Sequence, residues 1–346
     1  MISLDSTLTD NLLRLRPSMV KFNGVDSWKI EICGSGMKPL PMYLNRQLIK
    51  ILEDLGVPAH HLLDIQQEEV NSLRRISQSP VLAANFLEKS NLAQSTRMPF
   101  LIRALVRLKL KFLNDRFLRR MIELAVIVKL RELKYRSRIR VNKGLTLYGI
   151  MDETGFLREG EVYCPFLSET GQRQVLIGNR LVITRAPALH PGDVQLVNAV
   201  DVPTKSPLND LHNCIVFSQK GERDLPSKLS GGDLDGDLYN IIYDERLCHN
   251  TQGRPLQVAV PADYPRLQAP ALDRPVQRED IIHHFLIFMQ QDQLGRIATL
   301  HQILADSKGT FSADCLTLAE LHSTAVDFSK TGIPVSSPIS MAELPS

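Results

Sequence analysis

The sequence predicts an α+β chain in which a small closed β-barrel is flanked by helical segments. Three observations predict it. Short β-rich runs, separated by Gly, Pro and Asp turns, follow one another from residue 146 to 243. Apolar residues recur at helical spacing before and after that stretch. Between residues 103 and 143 the helical text is strongly basic. It holds fourteen Lys and Arg against three acidic residues, a surplus of eleven, although the whole chain carries only +3.

The bulk properties exclude several classes. A chain of 346 residues, 43% hydrophobic and 23% charged, has an ordinary globular composition and can bury one large core or two ordinary ones. Cys33, Cys164, Cys214, Cys248 and Cys315 are widely spaced, odd in number and form no C-x-x-C. That pattern argues against a disulfide framework or a zinc site and fits a reducing, intracellular compartment. Buried small side chains are their expected role. The N-terminus shows no charged segment followed by an apolar core. The longest apolar-rich stretch, 101–133, is dense with Arg and Lys, which excludes a membrane span there.

In chain order, residues 12–15, 19–22 and 28–33 are candidate strands. Residues 44–56 have helical periodicity through Leu44, Ile49, Leu52 and Leu55, and Gly56 stops the helix. Residues 57–74 and 79–90 are further helices, punctuated by Pro58 and Pro80. The basic segment follows as one or two helices with its charges on the outer face. Surfaces that are merely solvated mix signs, so this one points to a polyanion held by its backbone phosphates, without base readout. The strands are read at 146–151, 161–165, 174–177, 181–184, 194–200, 213–217 and 238–243. Asp152-Glu-Thr-Gly155 is a turn whose acids are structural. A Pro-rich connector, 255–275, leaves the barrel. Residues 278–305 are then one long helix and 315–328 another. His283 and His284, being adjacent, point to different helix faces and do not share a metal.

The chemistry-bearing text is KGERDLPSKLSGGDLDGDLYNIIYD, residues 220–244. Asp233, Asp235 and Asp237 are three mutually repelling carboxylates in five residues. On an extended backbone, residues two apart project to the same side, so all three converge on one point. Gly231, Gly232 and Gly236 allow tight turns and close approach of a large ligand. Hard oxygen donors of this kind suit Mg²⁺, with Mn²⁺ as a substitute. A charged surface turn is the bland alternative. An EF-hand is a poor fit, because the glycine is the fourth residue from Asp233 rather than the sixth and a strand follows. No P-loop sequence occurs.

The flanking text resembles the catalytic loop of the cellular RNA-dependent RNA polymerases of RNA silencing. LRPSMVKF (15–22), YLNRQLIKILEDLGVP (43–58), GIMDETG (149–155), RAPALHPGD (185–193) and LHSTAVDFSKTGIPV (321–335) resemble that family's blocks, in its order. The resemblance implies a double-psi β-barrel core, with a second barrel complete at 141–250 and a first barrel partial at 1–45. A basic helical connection lies at 46–140, and a connector with the start of a helical neck at 251–346. It implies that the chain begins after the family's Gly/Lys-rich block and stops before a further helical region. It makes Asp233, Asp235 and Asp237 metal ligands. Lys21 would meet the incoming nucleotide's phosphates, and Arg185 the triphosphate or template. The alternative for Lys21 is a solvated surface lysine. In RAPALHPGD, Ala186 and Ala188 stand where Asn and Cys are commoner, and His190 stabilises the loop. Arg116, Arg119, Arg120, Arg136, Arg138, Arg140 and Lys330 are the candidate RNA contacts, with Asp327 beside Lys330 in the last block.

The implied partners are a single-stranded RNA template, the RNA product, NTPs and silencing proteins. Some relatives are homodimers. Two other readings stand beside it. One is a catalytically idle partial chain that binds RNA or a partner. The other is a relative of the multisubunit, DNA-templated polymerases, whose loop is usually written NADFDGD. Nucleus and cytoplasm are not separated by the sequence.

Overall fold

Six strands close on themselves around an apolar interior. In the computed structural model, the described residues are 1–9, 12–20, 31–90, 97–111, 114–168, 170–264 and 272–335. The strands in chain order are β1 (Leu40–Tyr43), β2 (Arg140–Met151), β3 (Glu161–Leu167), β4 (Arg173–Leu176), β5 (Gly178–Arg185), β6 (Val194–Ala199), β7 (Cys214–Phe217) and β8 (Leu238–Ile242). The ladder runs β2-β7-β3-β6-β5-β8, and β8 pairs back onto β2 to close the barrel. The β2–β7 and β3–β6 pairs are parallel, and the others around the ring are antiparallel. β4 hangs from β3 as a hairpin.

Period-two alternation builds the interior. Val162 and Cys164 from β3, Leu181 and Ile183 from β5, Val197 and Ala199 from β6, Ile215 and Phe217 from β7, and Tyr239 and Ile241 from β8 all enter one buried cluster. The alternate residues Tyr163, Cys214 and Val216 face the other way. There they pack with Leu157, Val202, Leu208 and Leu211 from the loops. Burial of this kind supplies about 1.5–3 kcal/mol for each large apolar side chain. The DETG turn is structural, as expected. Buried Asp152 accepts hydrogen bonds from Thr154 N, Thr154 Oγ1 and Leu157 N.

The chain divides into two compact units. The first is Met1–Leu40, Gly144–Tyr243 and Val258–Gln268, and the second is Pro41–Lys143, Asp244–Gln257 and Ala269–Ser346. In the first, residues 12–15 form no strand. Leu12, Leu13 and Leu15 are all exposed, so the run has no core to face. Residues 21–22 and 28–30 of the candidate strands 19–22 and 28–33 lie outside the described residues; residues 31–33 form no strand, and Met19 closes a short 3-10 turn, Pro17–Met19. The Pro-rich connector is not a free exit from the barrel. Gln195 Nε2 donates to Ala259 O, and Arg223 Nη1 donates to Ala262 O. The backbone also lies so close to Gly192 that a Cβ there would stand 2.3 Å from Val260 O.

The second unit is helical, with α1 (Arg46–Asp54), α2 (Ala59–Ile76), α3 (Pro80–Lys89), α4 (Met98–Arg107) and α5 (Arg116–Arg136). Asn45, Ser79 and Asp115 cap α1, α3 and α5 through side-chain oxygens that accept from the third amide along. After the barrel's own short α6 (Leu225–Lys228) come α7 (Glu245–Cys248), α8 (Arg278–Gln291), α9 (Leu294–Lys308), α10 (Ala313–Val326) and α11 (Phe328–Thr331). The single helix expected over 278–305 is two. Asp292 takes an extended ψ of 113°, and its carboxylate accepts from Leu294 N, ending α8 and starting α9. Among the described residues, no helix is long and apolar enough to cross a membrane.

Two predictions follow from the packing. A Cβ on Gly149 would lie 2.3 Å from the Tyr239 ring, so Gly149→Ala should cost about 1–3 kcal/mol, measured as a lowered urea midpoint. His322 on α10 is buried, and burial pushes its pKa down to about 4 from the ordinary 6.5. The unfolded chain then binds a proton that the folded chain refuses. Stability is full above about pH 6.5 and falls as the pH drops toward 4, by on the order of 3 kcal/mol. Melting temperatures across that window should show the fall, and His322→Leu should flatten it.

Candidate metal centre

The acidic loop joins α6 to β8 on the barrel rim. Four of its residues have left-handed backbone: Ser230 (φ 51°), Gly231 (φ 69°), Leu234 (φ 61°) and Gly236 (φ 143°). The loop is therefore not extended. Its carboxylates converge because the chain coils, not because strand residues alternate. One carboxylate oxygen from each of Asp233, Asp235 and Asp237 lies within 4.8 Å of the others. Asp233 and Asp235 are exposed and Asp237 is half-buried. An all-oxygen set, open on one side, fits a hard divalent cation that keeps waters and shares substrate phosphates.

Asp237 is the anchored member. Its Oδ1 accepts from Arg185 Nη2 at 2.6 Å, and its Oδ2 accepts from Asp233 N at 3.0 Å and Tyr239 Oη at 3.5 Å. Its carbonyl accepts from Gly149 N at 3.1 Å. Tyr239 packs edge-on against Phe217, with ring centroids 4.7 Å apart. Burial, and next the charge of Asp237, push the phenol's pKa upward, so it remains a donor. Gly232 makes room for it, since a Cβ there would lie 2.3 Å from Tyr239 Oη.

Arg185 stands at the end of β5 and is engaged at two points. Besides Asp237 it donates from Nη1 to Ser230 O at 2.9 Å. Ser230 Oγ donates to Pro187 O at 2.6 Å. The RAPALHPGD segment thus embraces the root of the acidic loop. His190 Nδ1 accepts from Gly192 N, the loop-stabilising role expected of it. Buried Asp193, which the sequence reading did not single out, accepts from Leu189 N and His190 N on one oxygen and from Ser230 N on the other. Burial pushes its pKa up to about 6 against the pull of those three amides and of Arg185. The signal was an acid closing a Pro-Gly turn, which on its own reads as a cap. Asp244, the last acid of the motif, lies outside the cluster. It caps α7 and pairs with Arg246 at 2.8 Å.

Lys21 lies outside the described residues. Arg116, Arg119, Arg120, Arg136 and Arg138 are exposed, and Arg140 is half-buried. Arg119 pairs with Glu123 at 3.8 Å, and Arg138 lies 4.5 Å over the Tyr43 ring. Exposed Lys330 pairs with Asp327 at 3.4 Å. The sequence reading put the charges on the outer face of α5, and apolar groups share the exposed surface with them. Phe117, Leu124, Ile127 and Tyr135 are exposed on it among the basic residues.

The closed six-stranded barrel with an acidic loop on its rim fits a double-psi β-barrel core, and the match in fold supports that assignment. The fold matches that of the RNA dependent RNA polymerase QDE-1 from Thielavia terrestris with a TM-score of 0.67, over 87% of this chain and 37% of that one, at 20% identity. The chain belongs to the RNA dependent RNA polymerase family, whose model matches residues 1–346. It is 34% identical over 325 residues to a probable RNA-dependent RNA polymerase 1 of Oryza sativa subsp. japonica, covering 93% of this chain and 42% of the relative. It is 35% identical to RNA-dependent RNA polymerase 1 of Arabidopsis thaliana, covering 93% and 28%. Against RNA-dependent RNA polymerase 1 of Schizosaccharomyces pombe the identity is 29%, covering 84% and 25%. The chain thus spans between a quarter and about two fifths of the length of these relatives.

Arg185→Leu should leave Asp237 half-buried without its cation and Ser230 O without a donor. The expected cost is about 1–3 kcal/mol, measured as a fall in urea midpoint at unchanged slope.

Proposed function

We propose that this chain carries the metal-binding barrel of an RNA-directed RNA polymerase. The reaction is transfer of a nucleotide from an NTP to an RNA 3′-hydroxyl on a single-stranded RNA template. The product is double-stranded RNA of the kind used in RNA silencing. The observation that carries the proposal is the convergence of Asp233, Asp235 and Asp237 within 4.8 Å on a barrel rim, in a chain of this family.

Asp233, Asp235 and Asp237 would hold Mg²⁺, for which Mn²⁺ could substitute. When bound, the ion supplies a lowered pKa for the attacking hydroxyl and offsets charge on the phosphates. Asp233 and Asp235, being exposed, are the ligands open to water and substrate. Asp237 fixes the third oxygen, with Arg185 offsetting its charge. Arg185 is therefore assigned to holding the loop before any contact with a triphosphate. Lys21 is assigned to the phosphates of the incoming nucleotide. Arg116, Arg119, Arg120, Arg136, Arg138, Arg140 and Lys330 would hold RNA backbone electrostatically, leaving sequence to base pairing.

The second reading is a member of this family that binds RNA without synthesis. Incorporation of labelled ribonucleotides on single-stranded RNA with Mg²⁺ separates the two. Asp235→Ala should lower synthesis by roughly 10²–10³-fold or more while RNA retention on a filter is unchanged. Undiminished synthesis by Asp235→Ala would sink the polymerase reading. No synthesis by the unaltered chain, with RNA retained, would favour the binding module.

A further inference from the structure

The root of the acidic loop is held by more than Arg185. Three separate bonds converge on Ser230, three residues before Asp233. Its N–H donates to Asp193 Oδ1 at 3.1 Å, its hydroxyl donates to Pro187 O at 2.6 Å, and its carbonyl accepts from Arg185 Nη1 at 2.9 Å. Arg185 ends β5, and Pro187 and Asp193 lie in the connection from β5 to β6. Ser230 is also in left-handed backbone, which a residue with a side chain adopts at a cost and keeps when its surroundings hold it.

Asp193, unlike Arg185, holds this assembly through residue 230 and not through a triad carboxylate. It is 5% exposed, and its two oxygens divide their work. Oδ2 accepts two amides of its own loop, Leu189 N at 3.0 Å and His190 N at 2.9 Å. Oδ1 accepts one amide from the acidic loop. A buried carboxylate bonded only within its own turn would be a cap. One whose second oxygen reaches across to residue 230 couples two loops.

We infer that Asp193, acting through Ser230, is a positioning residue for the metal centre. It sets the path of the chain into Asp233, Asp235 and Asp237, and so the affinity of the triad for a divalent cation. The inference rests on the reading of the triad as metal ligands. Outer partners of metal ligands characteristically change affinity by about 10–100-fold when removed.

The chemistry of the site offers a selective cut. In Asp193→Asn one oxygen remains and the other becomes an NH₂. The oxygen is drawn to the side with two donors, Leu189 N and His190 N, which keeps the cap. The NH₂ then faces Ser230 N, donor against donor, and the tie to the acidic loop is lost. Ser230→Ala is a second variant, removing the bond to Pro187 O while leaving a surface hydroxyl's worth of packing to lose.

The test is Mn²⁺ binding to the full chain, measured by electron paramagnetic resonance of free Mn²⁺, with melting temperatures alongside. Four variants are compared with the unaltered chain: Asp193→Asn, Ser230→Ala, Asp235→Ala, and Val162→Ala as a destabilised barrel whose loops are intact. Asp193→Asn is expected to weaken Mn²⁺ binding by about tenfold and Ser230→Ala in the same direction, with Val162→Ala unchanged. Unaltered affinity in Asp193→Asn, or an equal loss in Val162→Ala, would overturn the inference. Equal Mn²⁺ binding by the unaltered chain and Asp235→Ala would instead remove the metal reading of the triad, a separate failure.

Discussion

Three carboxylates that repel one another must be held together before any cation arrives, and the barrel rim is arranged around that constraint. Arg185 supplies a close opposite charge, at 2.6 Å from Asp237. The backbone supplies the rest, through Gly149 N on the Asp237 carbonyl and Asp233 N on its carboxylate. Tyr239 stands beneath the loop with its ring in the barrel core and its hydroxyl toward Asp237, so packing and electrostatics meet in one side chain. Gly149 and Gly232 are there because Tyr239 is there. Neither position has room for a Cβ.

This arrangement divides labour among segments far apart in sequence. β2 contributes Gly149, β5 contributes Arg185, the following loop contributes Asp193, and β8 contributes Tyr239. Each comes from a different strand end of one closed ladder, so the barrel's register sets the spacing of the site. Asp233 and Asp235 are exposed, whereas Asp237 is half-buried and held by Arg185, Tyr239 and the amide of Asp233. On the proposed reading, a site that admits a cation, phosphates and water has reason to be rigid on one side only.

Much of the barrel was legible because period-two alternation and turn residues act locally. Every predicted strand from 146 onward overlaps an observed one. The helices read at 44–56 and 79–90 were legible from local signals too, and the structure adds the caps Asn45 and Ser79. The breaks came where a single residue overrode a pattern. Asp292 splits an apolar-periodic run by capping the next helix with its own side chain, and periodicity does not register one such residue. The acid triplet was visible, but the way it converges was not. Extended geometry and a coil with positive φ at Leu234 and Gly236 both bring the acids together, and the sequence does not choose between them. Asp193 was hidden by ambiguity of another kind, since its second oxygen bonds a residue 37 positions away. The basic residues of α5 face outward as read, but a count of charges does not register that Phe117, Leu124 and Ile127 are exposed among them.

The segment after Gln257 changes where this molecule can be cut. A boundary drawn at the end of β8 looks natural in the linear text, since the last ladder strand stops there and prolines follow. Residues 258–264 nevertheless belong to the barrel's surface. Gln195 and Arg223 hold their carbonyls, and Gly192 is a glycine because their backbone passes over it. The barrel is therefore a discontinuous folding unit, with the stretch Asp244–Gln257 looped out between its last strand and its final strip. A fragment ending at Tyr243 would bare the underside of the loop that carries Asp193. Such a fragment would report on a damaged metal centre while its strand count remained whole.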